Sequence, residues 1–167
     1  KSYKYSYKQA CLTAQVVIRG SDSDIAYEIF RPEGPMAILP MGSDLFQVVW
    51  SAPLYKCIER SSLTAPIFLD RLAAVLPDHL QPDLLMDKPS YFPVNISVSK
   101  QFFKGNFILV GETAHNCHPV GGQGLNLCWR DVDVLRELFI SLNKKDIKNS
   151  KLPLIYEIKR LLDVISI

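Results

Sequence analysis

The sequence lacks several features that would place it in a specialised class of protein. No apolar run approaches the ~18 residues that span a bilayer, and no signal-peptide pattern opens the chain. The net charge is only +2 and the basic residues form no long run, which argues against nucleic acid as a partner. The four cysteines are widely spread without a CxxC pair, as is typical of reduced thiols. We therefore expect a cytoplasmic protein, for which peripheral contact with a membrane stays open.

What is present is an ordinary globular composition: 48% of the 167 residues are hydrophobic. The first 53 residues predict four strands in an antiparallel meander, separated by turn residues. In ACLTAQVVIR (10–19) apolar residues alternate, with Ala10, Leu12, Ala14, Val16 and Ile18 on one face. The other strands are IAYEIF (25–30), MAILP (36–40) and LFQVVWSAP (45–53).

The middle of the chain changes period and predicts helices that cover one face of this sheet. Segments 54–62 and 65–80 place apolar residues at helical spacing, among them Phe68, Leu72 and Val75. Residues 90–102 look extended again.

In the last third, FILV (107–110) predicts a strand buried on both faces of a mostly parallel sheet. A helix follows, whose apolar face is formed by Val132, Leu135, Phe139 and Leu142, and a second helical pattern runs to the end of the chain. The fold class is thus α+β: an antiparallel sheet covered by helices, followed by a strand–loop–helix part of an α/β domain.

Between that strand and that helix lies GETAHNCHPVGGQGLN (111–126), for which three interpretations compete. His115, Cys117 and His118 suggest a metal site, but no second group of ligands appears elsewhere, so we predict no metal. A plain glycine-rich connection is possible, although sixteen residues is long for such a loop.

The third interpretation, a loop that cradles a nucleotide or cofactor, uses more of the same residues. A buried strand ends at Gly111, an acidic residue follows, and GGQG stands just before a helix. Backbone N–H groups of side-chain-free residues approach an anion closely, and a helix N-terminus adds partial positive charge. It is not a P-loop, because Lys and Ser or Thr do not follow the glycines.

These residues carry a family resemblance. ILVGETAHNCHPVGGQGLNLCWRDVDVL resembles the second FAD-binding motif of the flavin-dependent aromatic hydroxylases. The matching positions are Gly111, Ala114, His115, Pro119, Gly122, Gln123, Gly124, Asn126, Asp131 and Leu135. A second block, AYEIFRPEGPMAILPM followed by VVWSAP, is similar to the middle domain of the ubiquinone-biosynthesis hydroxylases.

The resemblance implies an enzyme that binds FAD and takes reducing equivalents from NAD(P)H. It implies hydroxylation of a phenolic, polyprenylated quinone precursor by way of a flavin C4a-hydroperoxide. The G-x-G-x-x-G element that holds the ADP half of FAD in this family does not occur in the chain. We therefore expect a segment that is inactive alone, with a substrate-side domain at 1–103 and the C-terminal part of the FAD-binding domain at 104–167.

The same resemblance predicts the site. FAD would be bound by Gly111, Glu112, Pro119, Gly121, Gly122, Gln123, Gly124, Leu125 and Asn126, and the substrate pocket would include Met36, Ile38 and Pro40. No residue is assigned direct proton transfer. Asp131 either ties the loop down or is a surface residue. Two positions depart from the motif: Glu112 replaces the usual Asp, and Cys128 replaces a usual Gly and is expected to crowd the neighbouring strand.

Two other functions stay open at this point. One is a non-catalytic module that binds a hydrophobic or quinone-like molecule, and the other is a related flavoprotein hydroxylase that acts on a small phenol. The sequence predicts no oligomeric state.

Overall fold

A computed structural model of the chain describes residues 1–22, 24–105, 107–119, 122–141 and 151–165. The chain forms two compact units. The first, here called the sheet unit, is Tyr7–Val94, and the second, the helix unit, combines Lys1–Ser6 with Asn95–Ile167. The predicted domain boundary between residues 103 and 104 stays a prediction. No helix among the described residues has both the length and the apolar character needed to cross a membrane.

Strands dominate the first half of the chain, and the two longest helices lie in the second half. The strands are β1 (Ser2–Arg19), β2 (Tyr27–Ile29), β3 (Met36–Pro40), β4 (Leu45–Pro53), β5 (Gln81–Leu85), β6 (Ser90–Ser99), β7 (Phe103–Lys104), β8 (Phe107–Ile108) and β9 (His115–Asn116). The helices are α1 (Leu54–Ser61), α2 (Ala65–Ala73), α3 (Gln123–Ile140) and α4 (Leu152–Ile165).

The sheet of the sheet unit is antiparallel, as predicted, but its strand order is β2–β3–β4–β1, with β5 also paired to β1. A simple meander would place β1 beside β2. Instead β1 pairs with β4 from Gln9↔Pro53 to Val17↔Leu45. All nine residues of β4 pair with β1, whereas β2 has only three residues.

The core of the sheet unit lies on the face that the alternation in β1 predicts. All five predicted inward residues of β1 have 0% exposure. The same core includes Met36, Ile38, Phe46, Val48, Trp50, Phe68 and Leu72. The two helical residues among them, Phe68 and Leu72, confirm that α2 covers this sheet. The helix ends at Ala73, earlier than the predicted residue 80, since Pro77 lacks an N–H and disfavours helical conformation in the residue before it.

A cluster of charged and aromatic side chains holds α1 to the turn before β3. The Glu33 carboxylate accepts hydrogen bonds from Trp50 Nε1 (3.1 Å), Lys56 Nζ (2.9 Å) and Arg60 Nη2 (2.9 Å). The Arg60 guanidinium lies 3.9 Å from the centre of the Trp50 ring. Burial raises the pKa of Glu33, but the hydrogen bonds from Lys56 and Arg60 outweigh it and leave the pKa below its ordinary value.

We expect Glu33→Gln to lower the free energy of unfolding by about 1–3 kcal/mol at pH 7, because the charge-assisted hydrogen bonds lose their anionic acceptor. The folded-state pKa of Glu33 is lowered, so its contribution is present above the ordinary value of 4.5 and is lost as pH falls below it. Urea unfolding at pH 7 and pH 3 measures both effects. The difference between wild type and variant should shrink at pH 3, and an unchanged difference would contradict the assignment.

In the helix unit, the expectation of a strand buried on both faces is wrong. Only Phe107 and Ile108 are in a strand, β8, which pairs antiparallel with β7, and Phe107 is 81% exposed. Among the described residues β7 is the only strand partner of β8, so no parallel sheet is present to bury the segment. Ile108, Leu109 and Val110 pack against the core of this unit.

The two long helices of the helix unit, α3 and α4, are confirmed, but the buried face of α3 differs from the predicted one. Val132 and Phe139 are 47% and 52% exposed, and Leu142 lies outside the described residues. The face that packs runs through Leu127 and Asp131, which are buried, and continues through Val134, Leu135 and Leu138. Helical spacing shows which residues share a face. The face that packs contains the polar Asp131, so an apolar pattern does not identify it.

Candidate functional site

The loop before α3 begins with a tight turn at its strand end. Gly111–Thr113 form one turn of 3₁₀-helix, closed by the Ala114 N–H, which donates to the Gly111 carbonyl at 2.9 Å. The Thr113 hydroxyl donates to the Val110 carbonyl at 2.7 Å. Gly111 has φ +64°, in the left-handed region that residues with a Cβ adopt only at a cost. The turn leaves the Glu112 side chain exposed.

Cys128, one of the two departures from the motif, packs against this turn. A Cβ on Gly111 would lie 3.2 Å from Cys128 Sγ and 3.9 Å from Cys128 Cβ. The thiol therefore fills the space next to the glycine rather than displacing the chain, and the expected crowding is accommodated because residue 111 has no side chain.

We expect Gly111→Ala to lower the free energy of unfolding by about 1–2 kcal/mol for the left-handed backbone, with a further cost from the Cys128 thiol. In a Cys128→Ala background only the backbone part should remain. Gly122→Ala is the matched control, since Gly122 has φ +63° and a Cβ there would meet nothing within 4 Å. Denaturant unfolding of these variants measures the costs, and equal costs for Gly111→Ala in both backgrounds would contradict the steric contact.

The N-terminus of α3 receives no side-chain cap from the residues that the structure describes. Gly122 stands at its cap position, and the first turn holds no acidic residue. The first N–H groups of a helix have no partner within it and carry partial positive charge. Leu125 and Asn126 are exposed, and Gly124 lies against Cys117, whose Sγ would be 3.7 Å from a Cβ on that glycine. This arrangement suits an anionic or electron-rich ligand group.

Beneath the turn, a buried carboxylate joins three parts of the helix unit. Asp131 has 0% exposure. Its Oδ2 accepts the Gly111 N–H at 2.6 Å and lies 3.0 Å from His115 Nε2, while its Oδ1 accepts Arg160 Nε at 2.5 Å. Arg160, on α4, also donates to Asp163 Oδ2 at 2.5 Å and to the Leu127 carbonyl at 3.3 Å. Asp131 is therefore a structural hub and not a surface residue.

Electrostatics keep this hub ionised. Burial raises the pKa of Asp131, but hydrogen bonds from His115, Gly111 and Arg160 together lower it below its ordinary value. Burial lowers the pKa of Arg160, yet the carboxylates of Asp163 and Asp131 raise it overall. The hydroxyl of Tyr156, which donates to the Leu109 carbonyl, has a pKa raised by burial and by the nearby Asp131 charge.

The three residues that suggest a metal site in the sequence, His115, Cys117 and His118, have other surroundings in the structure. His115 is 2% exposed and is engaged with Asp131, and burial lowers the pKa of His118 and raises that of Cys117. Over the described ranges, no three His, Cys, Asp or Glu side chains form a group that could hold a metal ion.

The predicted flavin-site residues occupy two places: the turn at Gly111 and Glu112, and the start of α3 from Gly122 to Asn126. Pro119 is exposed between them, and Gly121 lies outside the described residues. The predicted pocket residues Met36 and Ile38 are fully buried in the core of the sheet unit, and Pro40 is half-buried. Both assignments, to flavin and to substrate, stay predictions.

Sequence reasoning missed Arg160 and Tyr156. Both lie four residues apart on one face of α4 and are buried. A signal was present: within LPLIYEIKRLLDVISI (152–167), Arg160 falls at helical spacing from Tyr156 and Leu152, on the apolar side of the helix. A cation on that side requires a buried carboxylate partner.

Comparison with known proteins places this geometry in a family. The family model described as "FAD binding domain" matches residues 6–161. The uncharacterized protein slr1300 of Synechocystis sp. is 34% identical over 141 residues, covering 84% of this chain and 34% of that protein. The 3-demethoxyubiquinol 3-hydroxylase of Escherichia coli is 27% identical over 166 residues, covering 96% and 41%.

The fold has close counterparts among solved structures. PqsL of Pseudomonas aeruginosa, described as a probable FAD-dependent monooxygenase, superimposes with a TM-score of 0.74 at 18% identity. The match covers 99% of this chain and 47% of that one. The chain spans 34% of the length of slr1300 and 41% of the length of the E. coli hydroxylase.

The residues present fit one part of an FAD. A side-chain-free, left-handed Gly122 opens the α3 N-terminus, where a Cβ would stand in empty space that a ligand can use. Uncapped N–H groups there suit phosphate or the electron-rich edge of a ring, and the exposed Glu112 carboxylate suits hydroxyl groups. The predicted FAD cofactor is confirmed by the family match.

Proposed function

Because the chain belongs to the FAD-dependent aromatic hydroxylases of the ubiquinone-biosynthesis type, we propose that it is a segment of a monooxygenase acting on a phenolic, polyprenylated quinone precursor. NAD(P)H is the proposed reductant. The names of the relatives support this substrate class, including the 3-demethoxyubiquinol 3-hydroxylase of E. coli. A polyprenyl tail partitions into lipid, so the proposal includes peripheral contact with a membrane.

The observation that carries the proposal is the backbone geometry at the two left-handed glycines, Gly111 and Gly122. Gly111 turns the chain so that Glu112 is exposed, and Gly122 opens the N-terminus of α3. In this proposal Glu112 accepts hydrogen bonds from the ribityl hydroxyls of FAD. The N–H groups of Gln123 to Leu125 would face the pyrimidine edge of the flavin ring and the neighbouring phosphate, whereas the Gly122 N–H donates to the Pro119 carbonyl at 3.3 Å.

Bound flavin supplies the activation of oxygen and the transfer of a hydroxyl group to the substrate ring. The residues of this chain bind and orient. The partial positive charge at the α3 N-terminus stabilises negative charge on whatever ligand group lies against it. Glu112 is one methylene longer than the usual Asp, and its exposed position on the 3₁₀ turn gives the longer side chain room to fold back toward a hydroxyl.

Oxygen consumption by the protein expressed from the intact reading frame tests the function. We expect FAD to copurify, and NADH or NADPH to support oxygen uptake that polyprenyl phenols stimulate more than small phenols. Flavin-independent binding of a quinone would instead favour a non-catalytic binding module, and preference for a small phenol would favour the related hydroxylase. The 167-residue chain alone should bind FAD weakly and show no turnover.

Variants of Glu112 test the site itself. Glu112→Gln should weaken FAD binding by about tenfold, because an amide accepts weaker hydrogen bonds than a carboxylate, while Glu112→Asp should bind near the wild-type level. Glu137→Gln is the matched control: Glu137 is also an exposed carboxylate, on α3. Equal affinities for Glu112→Gln and the control would exclude Glu112 from the site.

A further inference from the structure

The two carboxylate oxygens of Asp131 have different partners: one accepts hydrogen bonds from the loop and the other accepts from α4. Oδ2 accepts from Gly111, where the turn that carries Glu112 begins, and from His115, which lies in β9 just after that turn. Oδ1 serves Arg160 on α4. An ionised carboxylate only accepts hydrogen bonds, so His115 Nε2 carries the proton and donates. One oxygen atom therefore holds both ends of segment 111–115.

Stability alone does not account for such a group. Burying an ion pair removes two charges from water, and its mutual attraction often does no more than offset that cost, so apolar replacements can be as stable. Asp131 has 0% exposure and the Arg160 side chain is 3% exposed. What the pair provides, and an apolar pair cannot, is directional acceptors at fixed positions beneath the turn.

The cation is itself held in place from the other side. Arg160 Nη1 donates to Asp163, which also accepts from Arg130 of α3 at 2.8 Å, and Arg160 Nη2 donates to the Leu127 carbonyl. The position of the Asp131 carboxylate is thus set by α4. The Arg160 guanidinium and the Asp131 carboxylate therefore link α4 to the turn at Gly111.

We propose that Asp131, oriented by Arg160, is a positioning residue for the flavin site: it fixes segment 111–115, which includes the turn, so that Glu112 would face the ribityl hydroxyls. The assignment to flavin rests on the proposed function, whereas the fixing of the turn does not. Asp131 contacts neither flavin nor substrate and acts through Gly111 and His115. The helix α4, outside the FAD motif, is by this inference part of what sets cofactor affinity.

Asp131→Asn tests the proposal, because asparagine keeps the size of the side chain and loses the charge. In hydrogen–deuterium exchange on the 167-residue chain, amides of segment 111–116 should exchange about tenfold faster or more, with peptides of the sheet unit unchanged. In the intact reading frame, FAD should bind about 10- to 100-fold more weakly. Lys159→Gln is the control, since it removes the ion pair to Glu137 between the same helices and involves neither Asp131 nor Asp163.

A second pair of variants covers the case in which Asp131→Asn does not fold. His115→Gln retains a donor that can reach Asp131, and His115→Leu removes it, while both leave the Asp131–Arg160 pair intact. We expect exchange and FAD affinity to stay near wild type for Gln and to change for Leu, although both variants remain folded by circular dichroism.

The proposal is overturned if Asp131→Asn leaves exchange of segment 111–116 within about threefold of wild type, or if His115→Gln and His115→Leu behave alike. It is also overturned if FAD affinity is insensitive to these changes in a wild type that binds FAD. A wild type that binds no FAD defeats the proposed function and the flavin assignment together. The exchange result still reports whether Asp131 fixes the turn.

Discussion

Replacing Arg160 by methionine is expected to lower the free energy of unfolding by about 3–5 kcal/mol, because the Asp131 carboxylate would be left buried without its cation. The two side chains are 3% and 0% exposed, so water cannot take the place of the guanidinium. Urea unfolding followed by circular dichroism measures the change. Lys159→Met, at the neighbouring and 48% exposed position, should cost far less.

Removing both charges separates the cost of a lone buried charge from the loss of packing. Asp131→Asn combined with Arg160→Met leaves no buried charge, and the asparagine oxygen can still accept the Gly111 N–H. We expect the double variant to recover about half of the loss caused by Arg160→Met. A double variant less stable than Arg160→Met would show that the charge of Asp131 is not what makes the single variant unstable.

The loss of stability in acid should depend on the same ion pair, Asp131 and Arg160. The pKa of Asp131 is lowered in the folded chain, so its contribution to stability is present above the ordinary value of 3.8 and is lost as pH falls below that value. Wild type should therefore lose more unfolding free energy between pH 5 and pH 3 than Asp131→Asn combined with Arg160→Met does.

The second large effect is expected in the sheet unit, at the end of β1. Gly20→Ala should lower the free energy of unfolding by about 2–5 kcal/mol, since residue 20 has φ +87° and a Cβ would lie 1.9 Å from the His79 carbonyl oxygen. That oxygen belongs to the backbone, so the segment before β5 must move. Gly42→Ala is the matched control, with φ +101° and nothing within 4 Å of its Cβ.

Thermal or urea unfolding of the two variants compares strain with and without a clash. We expect Gly42→Ala to cost about 1–2 kcal/mol, the part due to the left-handed backbone alone. A Gly20→Ala variant as stable as Gly42→Ala would mean that the chain around His79 adjusts without loss.

Much of the sheet unit could be read from the chain. The bounds of β3 and β4 agree with the predicted segments, and the alternation in β1 identifies its buried face, because every second residue of a strand points the same way. The order of the strands in the sheet was not predictable from the sequence. Which strand lies beside β1 depends on pairing between segments far apart in the chain, and β4 pairs with it over nine residues.

Part of the candidate site is likewise evident from the sequence, and part of it is not. Glycines at 111 and 122 are recognisable from sequence because left-handed backbone favours them, and both have positive φ. The sequence allows two roles for Asp131, tying down the loop or lying at the surface, and its local pattern does not distinguish Arg160. Their partnership joins residues 29 positions apart on two helices, and no local period reports such a distance.

The family, the cofactor and the residue types of the predicted flavin loop are evident from the amino-acid sequence, because these follow from short-range motifs of fixed spacing. The tertiary structure decided which face of α3 packs and what lies beneath the loop. Two helices brought together in space bury a carboxylate against a guanidinium, and a buried charge must find its partner wherever the chain folds to supply one. That is why Asp131 is a hub in the fold, although the sequence, which marks it as a motif position, leaves both a tying role and a surface role open.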